Sequence, residues 1–217
     1  MSVTLYGYWR SSAAYRLRIA LNLKGASYQQ VSVNLKDGEQ TGEAWRAIQP
    51  QGLVPVLEVD GERLVQSPAI LEWIEENWPE PALLPTDPIA RNRIRGWCAV
   101  IGCDIHPLQN LRVLKAVSSD LGQGPDGMKA WAQRWMSSGL VALEAMVSDA
   151  ALPGDYLSGD TPGMADIYLV PQMYNARRWG VDLSICPTLT AKAAAACALP
   201  AFADAEPENQ PDAVDGA

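Results

Sequence analysis

The sequence holds no apolar run long enough to cross a membrane. Its longest, Ala193 to Leu199, is seven residues, against the ~20 that a bilayer-spanning helix needs. No Lys or Arg precedes Arg10 and no apolar core follows the start, so no cleaved secretory signal is expected and the cytoplasm is the expected compartment. A basic excess is also lacking: 17 Lys and Arg stand against 25 Asp and Glu, a formal charge of −8. Chains that track phosphate backbones carry the opposite balance, so a nucleic-acid partner is not expected. The sole histidine is His106, and the four cysteines (Cys98, Cys103, Cys186, Cys197) form no C-x-x-C pair. Neither a structural zinc site nor a dithiol redox centre is expected; buried free thiols in a reducing compartment are the simpler reading.

What remains is an ordinary globular chain. Its 217 residues give room for one full core or two small ones. Hydrophobic residues make up 48% and charged residues 19%, which excludes wholesale disorder. Five of the acids (Asp204, Glu206, Glu208, Asp212, Asp215) fall in the last 14 residues, which contain no Lys or Arg. With Pro207 and Pro211, residues 204–217 read as an extended, partly disordered tail.

Periodicity divides the rest in two. Residues 3–8 and 28–34 alternate as strands, and between them Ala14, Leu17 and Leu21 mark one face of a helix that ends at Gly25. A short helix fits residues 43–48. Residues 56–59, the Asp60-Gly61 turn and residues 63–66 give the clearest hairpin signal. Ser67-Pro68 then opens a helix with Ser67 as cap and Ile70, Trp73, Ile74 and Trp78 as its buried stripe. The order βαβαββα predicts a mixed sheet with helices packed on it, an α/β domain over residues 1–80. Pro79, Pro81, Pro85 and Pro88 mark a linker at 81–88. An all-α domain is expected over 89–203, with helices near 89–116, 128–147, 164–178 and 188–198. Pro107 and Pro171 are expected to end, kink or restart two of them.

Three features carry candidate chemistry. Arg10-Ser11-Ser12 stands where the first strand meets the first helix, and a helix N-terminus attracts anions through unpaired N–H groups and its dipole. A serine hydroxyl there can donate to a thiolate and lower its pKa; plain N-capping is the simpler role. Leu53-Val54-Pro55 precedes the hairpin, where a cis proline would leave the Val54 peptide groups open to an added extended peptide. Gln66-Ser67 at a second helix N-terminus offers donors for a carboxylate. Together these suit a short anionic peptide with a thiol.

These residues resemble the glutathione transferases, in particular their zeta class. The stretch from Arg10 to Leu21 around the double serine is similar to the zeta signature. Leu53-Val54-Pro55, Gln66-Ser67, the run from Asp104 to Asn110, Ala165-Asp166, Leu169 to Gln172 and Gln210-Pro211-Asp212 also match. The resemblance implies a thioredoxin-like first domain, an all-helical second domain, glutathione as cofactor and a homodimer. The implied reaction is cis–trans isomerisation of a maleyl dicarboxylate, maleylacetoacetate to fumarylacetoacetate. A thiolate adds to the cis double bond, the resulting single bond rotates, and the thiolate leaves. Carried over residue by residue, Ser11, Ser12 and Arg10 are the implied catalytic groups. Ser11, Ser12, Ala13, Gln40, Val54, Gln66, Ser67, Asp104, His106 and Asn110 are the implied glutathione contacts. Arg10, Arg112 and Arg178 are the implied carboxylate contacts, since a guanidinium fork matches a carboxylate. For Arg112 and Arg177 a solvated helix face is an equal reading.

Two positions depart from the family pattern. Ala13 stands where the family often has Cys, which removes any chemistry through that thiol and leaves Ser11 in place. Gly163 stands where a helical capping box usually begins with Ser or Thr, with Asp166 three residues on. On sequence alone, Gly163→Ser is expected to stabilise by roughly a few tenths of a kcal/mol. Alternatives remain: maleylpyruvate as substrate, a transferase that conjugates or dehalogenates small haloacids, or a binding protein without turnover. Leu111, where maleylpyruvate isomerases carry a further arginine, favours maleylacetoacetate.

Overall fold

The computed structural model describes residues 1–214. It divides into two compact units, Met1–Ala82 joined by the segment that begins at Ala198, and Leu83–Cys197. In the first, β1 (Val3–Gly7) leads into α1 (Ser12–Leu23), β2 (Gln29–Ser32) and the short α2 (Glu43–Arg46). The hairpin β3 (Val56–Val59) and β4 (Glu62–Val65) follows, then α3 (Ser67–Asn77). Strand order is β2-β1-β3-β4, with β1 parallel to β2 and antiparallel to β3. This is the expected mixed sheet. Leu5, Leu57, Leu17, Ile19, Leu21, Ile70, Leu71 and Ile74 are buried in the sheet and its helices. The buried Lys24 ties α1 to α3, with Nζ 2.6 Å from Glu75 Oε2 and 2.7 Å from the Pro81 carbonyl.

The second unit is helical: α4 (Pro88–Ala99), α5 (Leu111–Lys115), α6 (Gly124–Ala150), α7 (Met164–Arg178) and α8 (Pro187–Cys197). The single helix expected near 89–116 is interrupted. Pro107 cannot donate to the carbonyl one turn back, and the chain passes through π-type turns at Val100–Ile105 and a 3₁₀ turn at His106–Gln109. Helix α7 runs through Pro171 unbroken, with every residue from Met164 to Met173 buried. Packing on all faces offsets the one backbone bond that proline forfeits. The proline-rich segment is anchored, since Leu83 and Leu84 are 2% and 3% exposed.

Three local expectations are corrected. The cap of α3 is Gln66, and Ser67 is its first helical residue. The buried face of α3 is Ile70, Leu71 and Ile74, while Trp73 and Trp78 are half-buried and stack edge to face at 5.5 Å. The tail is not extended over its described length. The helical turn α9 (Pro200–Ala203) and a 3₁₀ turn at Pro207–Asn209 fold residues 204–214 back onto the first unit, where Gln210 is buried. Gln210 and Asp212 bond backbone and side chains of that unit, while Asp204, Glu208 and Asn209 are exposed; Asp215 lies outside the described residues.

Candidate functional site

Strand directions gather the first group of residues. Tyr6 of β1 pairs with Val56 of β3, which pairs with Val65 of β4. The exit of β1, the entry of β3 and the exit of β4 therefore share one end of the sheet. Trp9 to Ser11 continue from the first, Val54-Pro55 lead into the second, and Gln66-Ser67 follow the third.

Ser11 caps α1, its Oγ accepting from the Ala14 N–H at 3.3 Å. That bond uses the hydroxyl as acceptor, so its own proton is left to donate. Ser12 and Ala13, both buried, are the first two helical residues, whose N–H groups have no partner inside a helix. The Arg10 guanidinium lies 4.9 Å from the Trp9 ring centroid and is half-buried.

The Val54–Pro55 bond is cis. The Val54 side chain packs on Val33, Trp45 and Val56. Among the described residues, neither the N–H nor the C=O of Val54 meets a hydrogen-bond partner. The approach to it is fixed by Gln66 together with three side chains to which the sequence assigned no such role, Trp45, Gln49 and Gln51. Trp45 Nε1 donates to the Leu53 carbonyl at 3.1 Å, and Gln49 and Gln66 both donate to Gln51 Oε1, at 3.2 and 2.6 Å. Gln66 adopts φ +70°, a left-handed conformation costly for a residue with a Cβ. It turns the chain so that α3 starts at Ser67, which is buried with its Oγ 3.5 Å from Arg16 Nη1. Gln40 is also buried, and among the described residues its Oε1 has no partner. A Cβ on Gly52, which holds φ +66°, would lie 2.8 Å from the Gln40 carbonyl, so only glycine lets these two loops approach. An open peptide unit, an orphan amide oxygen and an open helix N-terminus make a set that fits a short extended peptide with charged ends.

The second unit holds the other residues. Asp104 is exposed, His106 is half-buried at the start of the 3₁₀ turn, and Asn110 caps α5, its Oδ1 accepting from the Arg112 N–H at 3.2 Å. Arg112, Arg177 and Arg178 are exposed. Arg178 is held in place: Nη1 donates to Asn175 Oδ1 at 3.0 Å, and its guanidinium sits 5.4 Å from the Trp179 centroid. Asn175 in turn donates to Gln109 Oε1 at 2.9 Å, and Gln109 to Gln172 Oε1 at 2.6 Å. This buried amide relay was not foreseen. Its signal is the spacing of Gln172, Asn175 and Arg178, three residues apart on one face of α7.

Asp166 closes the capping box of α7. It accepts from the Gly163 N–H at 2.9 Å and the Leu157 N–H at 2.8 Å, and burial pushes its carboxyl up to about 6 against these bonds. The benefit expected of Gly163→Ser is corrected here. A Cβ on Gly163 would run into Ser158 Oγ and lie 2.9 Å from both Ser158 Cβ and the Leu83 carbonyl. Among the described residues no group of His, Cys, Asp or Glu is placed to hold a metal ion.

Comparison with known proteins agrees with this geometry. Residues 1–76 match the glutathione S-transferase N-terminal domain. Maleylacetoacetate isomerase of Pseudomonas aeruginosa is 48% identical over 211 residues, 96% of this chain and 97% of the relative. The holo structure of a maleylpyruvate isomerase, described as a bacterial zeta-class glutathione S-transferase, superposes with a TM-score of 0.95 at 46% identity, covering 97% of this chain and 100% of that one. Maleylacetoacetate isomerase of Methylobacterium extorquens AM1, solved with bound malonate and glutathione, gives a TM-score of 0.93 at 39% identity over 97% of this chain and 99% of that one. By this extended likeness, and by the double serine at the head of α1, the chain belongs to the glutathione transferases, in their zeta class.

Proposed function

We propose that the protein is a glutathione-dependent cis–trans isomerase of a maleyl dicarboxylate, with maleylacetoacetate as the substrate. The observation that carries this reading is the unpartnered Val54 peptide unit, at the sheet end where Ser11 and Ser67 also emerge. Glutathione, when bound, supplies a nucleophilic thiolate for reversible addition to the conjugated double bond. The Ser11 hydroxyl donates a hydrogen bond to that sulfur and favours the anion, aided by the N–H groups and dipole of α1. Val54 pairs with the peptide backbone through both of its free groups. The Ser67 hydroxyl and the first N–H groups of α3 take a terminal carboxylate, with Gln66 orienting it.

In the other unit, His106, Asn110 and Asp104 are proposed as further glutathione contacts, and Gln40 in the first unit as a contact to the glycine end. Arg10, Arg112 and Arg178 hold the substrate carboxylates and the negative charge that develops next to them. The Asn175 bond gives Arg178 the preset orientation such a task requires. We further propose a homodimer, testable by light scattering, and a cytoplasmic setting, in keeping with four cysteines that form no disulfide, of which Cys98 and Cys186 are buried as expected while Cys103 is exposed and Cys197 half-buried.

Maleylacetone isomerisation, followed by ultraviolet absorbance with and without glutathione, tests the reaction. Turnover that needs glutathione without consuming it is expected. Stoichiometric loss of glutathione would make the protein a conjugating transferase, and absence of change would make it a binding protein. Ser11→Ala is expected to lose most turnover and Ser12→Ala less; near-full activity in both would remove the roles given to them.

A further inference from the structure

The loop that presents Arg10 and Ser11 is held from the far end of the chain. The Trp9 N–H donates to Asp212 Oδ2 at 3.0 Å, and the same oxygen accepts the Ser32 hydroxyl at 2.8 Å. The Trp9 carbonyl accepts from Arg18 Nη2 at 2.9 Å, and Arg18 Nε donates to the Ala205 carbonyl at 3.0 Å. Both peptide planes that flank Trp9 are thus fixed by the C-terminal segment, one by a carboxylate and one through a buried guanidinium. The segment is itself braced. Gln30 donates to Gln210 Oε1 at 3.0 Å, and the Gln210 amide donates to the carbonyls of Asp204 and Glu206 at 2.9 and 2.6 Å. A brace needed only for stability could grip any part of the unit. This one closes on the residue before Arg10, two before Ser11.

We infer that the segment from Ala205 to Asp212 is a positioning strap for the head of α1, in which Asp212 acts through the Trp9 amide to fix where the Arg10 and Ser11 side chains project. The inference rests on the role proposed for Ser11 above. A carboxylate acceptor is suited to the task, because hydrogen bonds to a carboxylate are stronger than bonds to a neutral oxygen. Donors held rigidly toward an anion stabilise it more than donors that must reorganise. Asp212 is a positioning residue; it touches neither cofactor nor substrate in this scheme.

The full-length protein carries the test. Asp212→Ala leaves a half-exposed position without its acceptor, and Asp212→Asn keeps a neutral one. In the ligand-free protein, amide exchange at Trp9 and Ser11 is expected to quicken by about tenfold in Asp212→Ala, the effect of losing one charge-assisted bond. With glutathione bound, ultraviolet titration of the thiolate is expected to move up by about one pH unit, and kcat to fall about tenfold while the KM for glutathione changes little. Asp212→Asn is expected to lie between wild type and Asp212→Ala in all three, and it carries the test if Asp212→Ala does not fold. A lower melting temperature with unchanged exchange, titration and kcat would reduce the strap to a structural clasp and overturn the inference. Ser11→Ala in the same titration separates the two ideas. If it leaves the bound thiol unmoved, the role of Ser11 fails; if it shifts the thiol and both Asp212 variants do not, the strap alone fails.

Discussion

Gly163→Ser gives a direct contest between local and tertiary forces. Locally, serine is the better N-cap, and replacing glycine there gains roughly a few tenths of a kcal/mol. The backbone conformation is no obstacle, since φ −142° and ψ −163° is extended. Space is the obstacle. The new Cβ meets Ser158 and lies 2.9 Å from the Leu83 carbonyl, which is already committed to the Met164 N–H at 2.9 Å. Ser158 can turn away, but the carbonyl can retreat only by breaking that bond at the first residue of α7. Overpacking of this kind costs about 1–3 kcal/mol, several times the capping gain. For a chain of this size each kcal/mol moves Tm by roughly 2–4 °C. Thermal unfolding followed by circular dichroism should therefore place Gly163→Ser about 2–10 °C below wild type. Adding Ser158→Gly should return part of the loss, because one of the two crowded neighbours is then gone. An unchanged or higher Tm for the single variant would refute the reasoning.

Asp166 should make stability depend on pH in a recognisable way. Its folded value of about 6 lies above the ~3.9 of an unfolded Asp, so its contribution is fully present below about pH 4 and is lost as pH rises to about 6. The loss is about 3 kcal/mol at ~1.4 kcal/mol per unit. Asp166→Asn, which does not titrate, should close on wild type by that amount in denaturant unfolding between pH 4 and pH 7; parallel curves would contradict it. In the amide relay, Asn175→Leu should raise the KM for the dicarboxylate about tenfold with the KM for glutathione unmoved, as expected for loss of one bond to a charged group. Arg178→Ala should do at least as much. Equal effects on both substrates would assign Asn175 to folding only.

Much of the first unit was legible because short-range rules decide it. The Asp60-Gly61 turn, the run that ends at Gly25 and the serine at the head of α1 each declare themselves within a few residues. Ser67 was displaced by one position because Gln66 takes the left-handed turn, a conformation that neighbours impose and Gln does not advertise. Pro171 misled for a related reason: a helix buried on all sides tolerates a proline that an exposed one would not. The glutathione-site residues were legible chiefly through likeness to a family. Periodicity alone marked Ser11 and Ser67 as caps and no more, while Val54 was marked by the proline that follows it, and its peptide groups meet no hydrogen-bond partner among the described residues.

Composition failed most clearly on the acids. Asp212 looks like an ordinary solvated carboxylate in a tail rich in them, and that richness argued for an extended conformation, whereas the spacing of Gly163 and Asp166 marked Asp166 as half of a capping box. Asp166 accepts within its own capping box, as that spacing implies, but Asp212 accepts the backbone N–H of a residue 203 positions away and the Ser32 hydroxyl. What separates a structural acceptor from a solvating charge is the set of donors brought to it. For Asp212 those donors come from Trp9, next to the head of α1, and from Ser32, which ends β2. Because β1 and β2 run parallel and side by side, their exits lie together, and one carboxylate can bond to both. The acid is thus recognisable only after the sheet is known, and the loop it reaches is the one that carries Arg10 and Ser11.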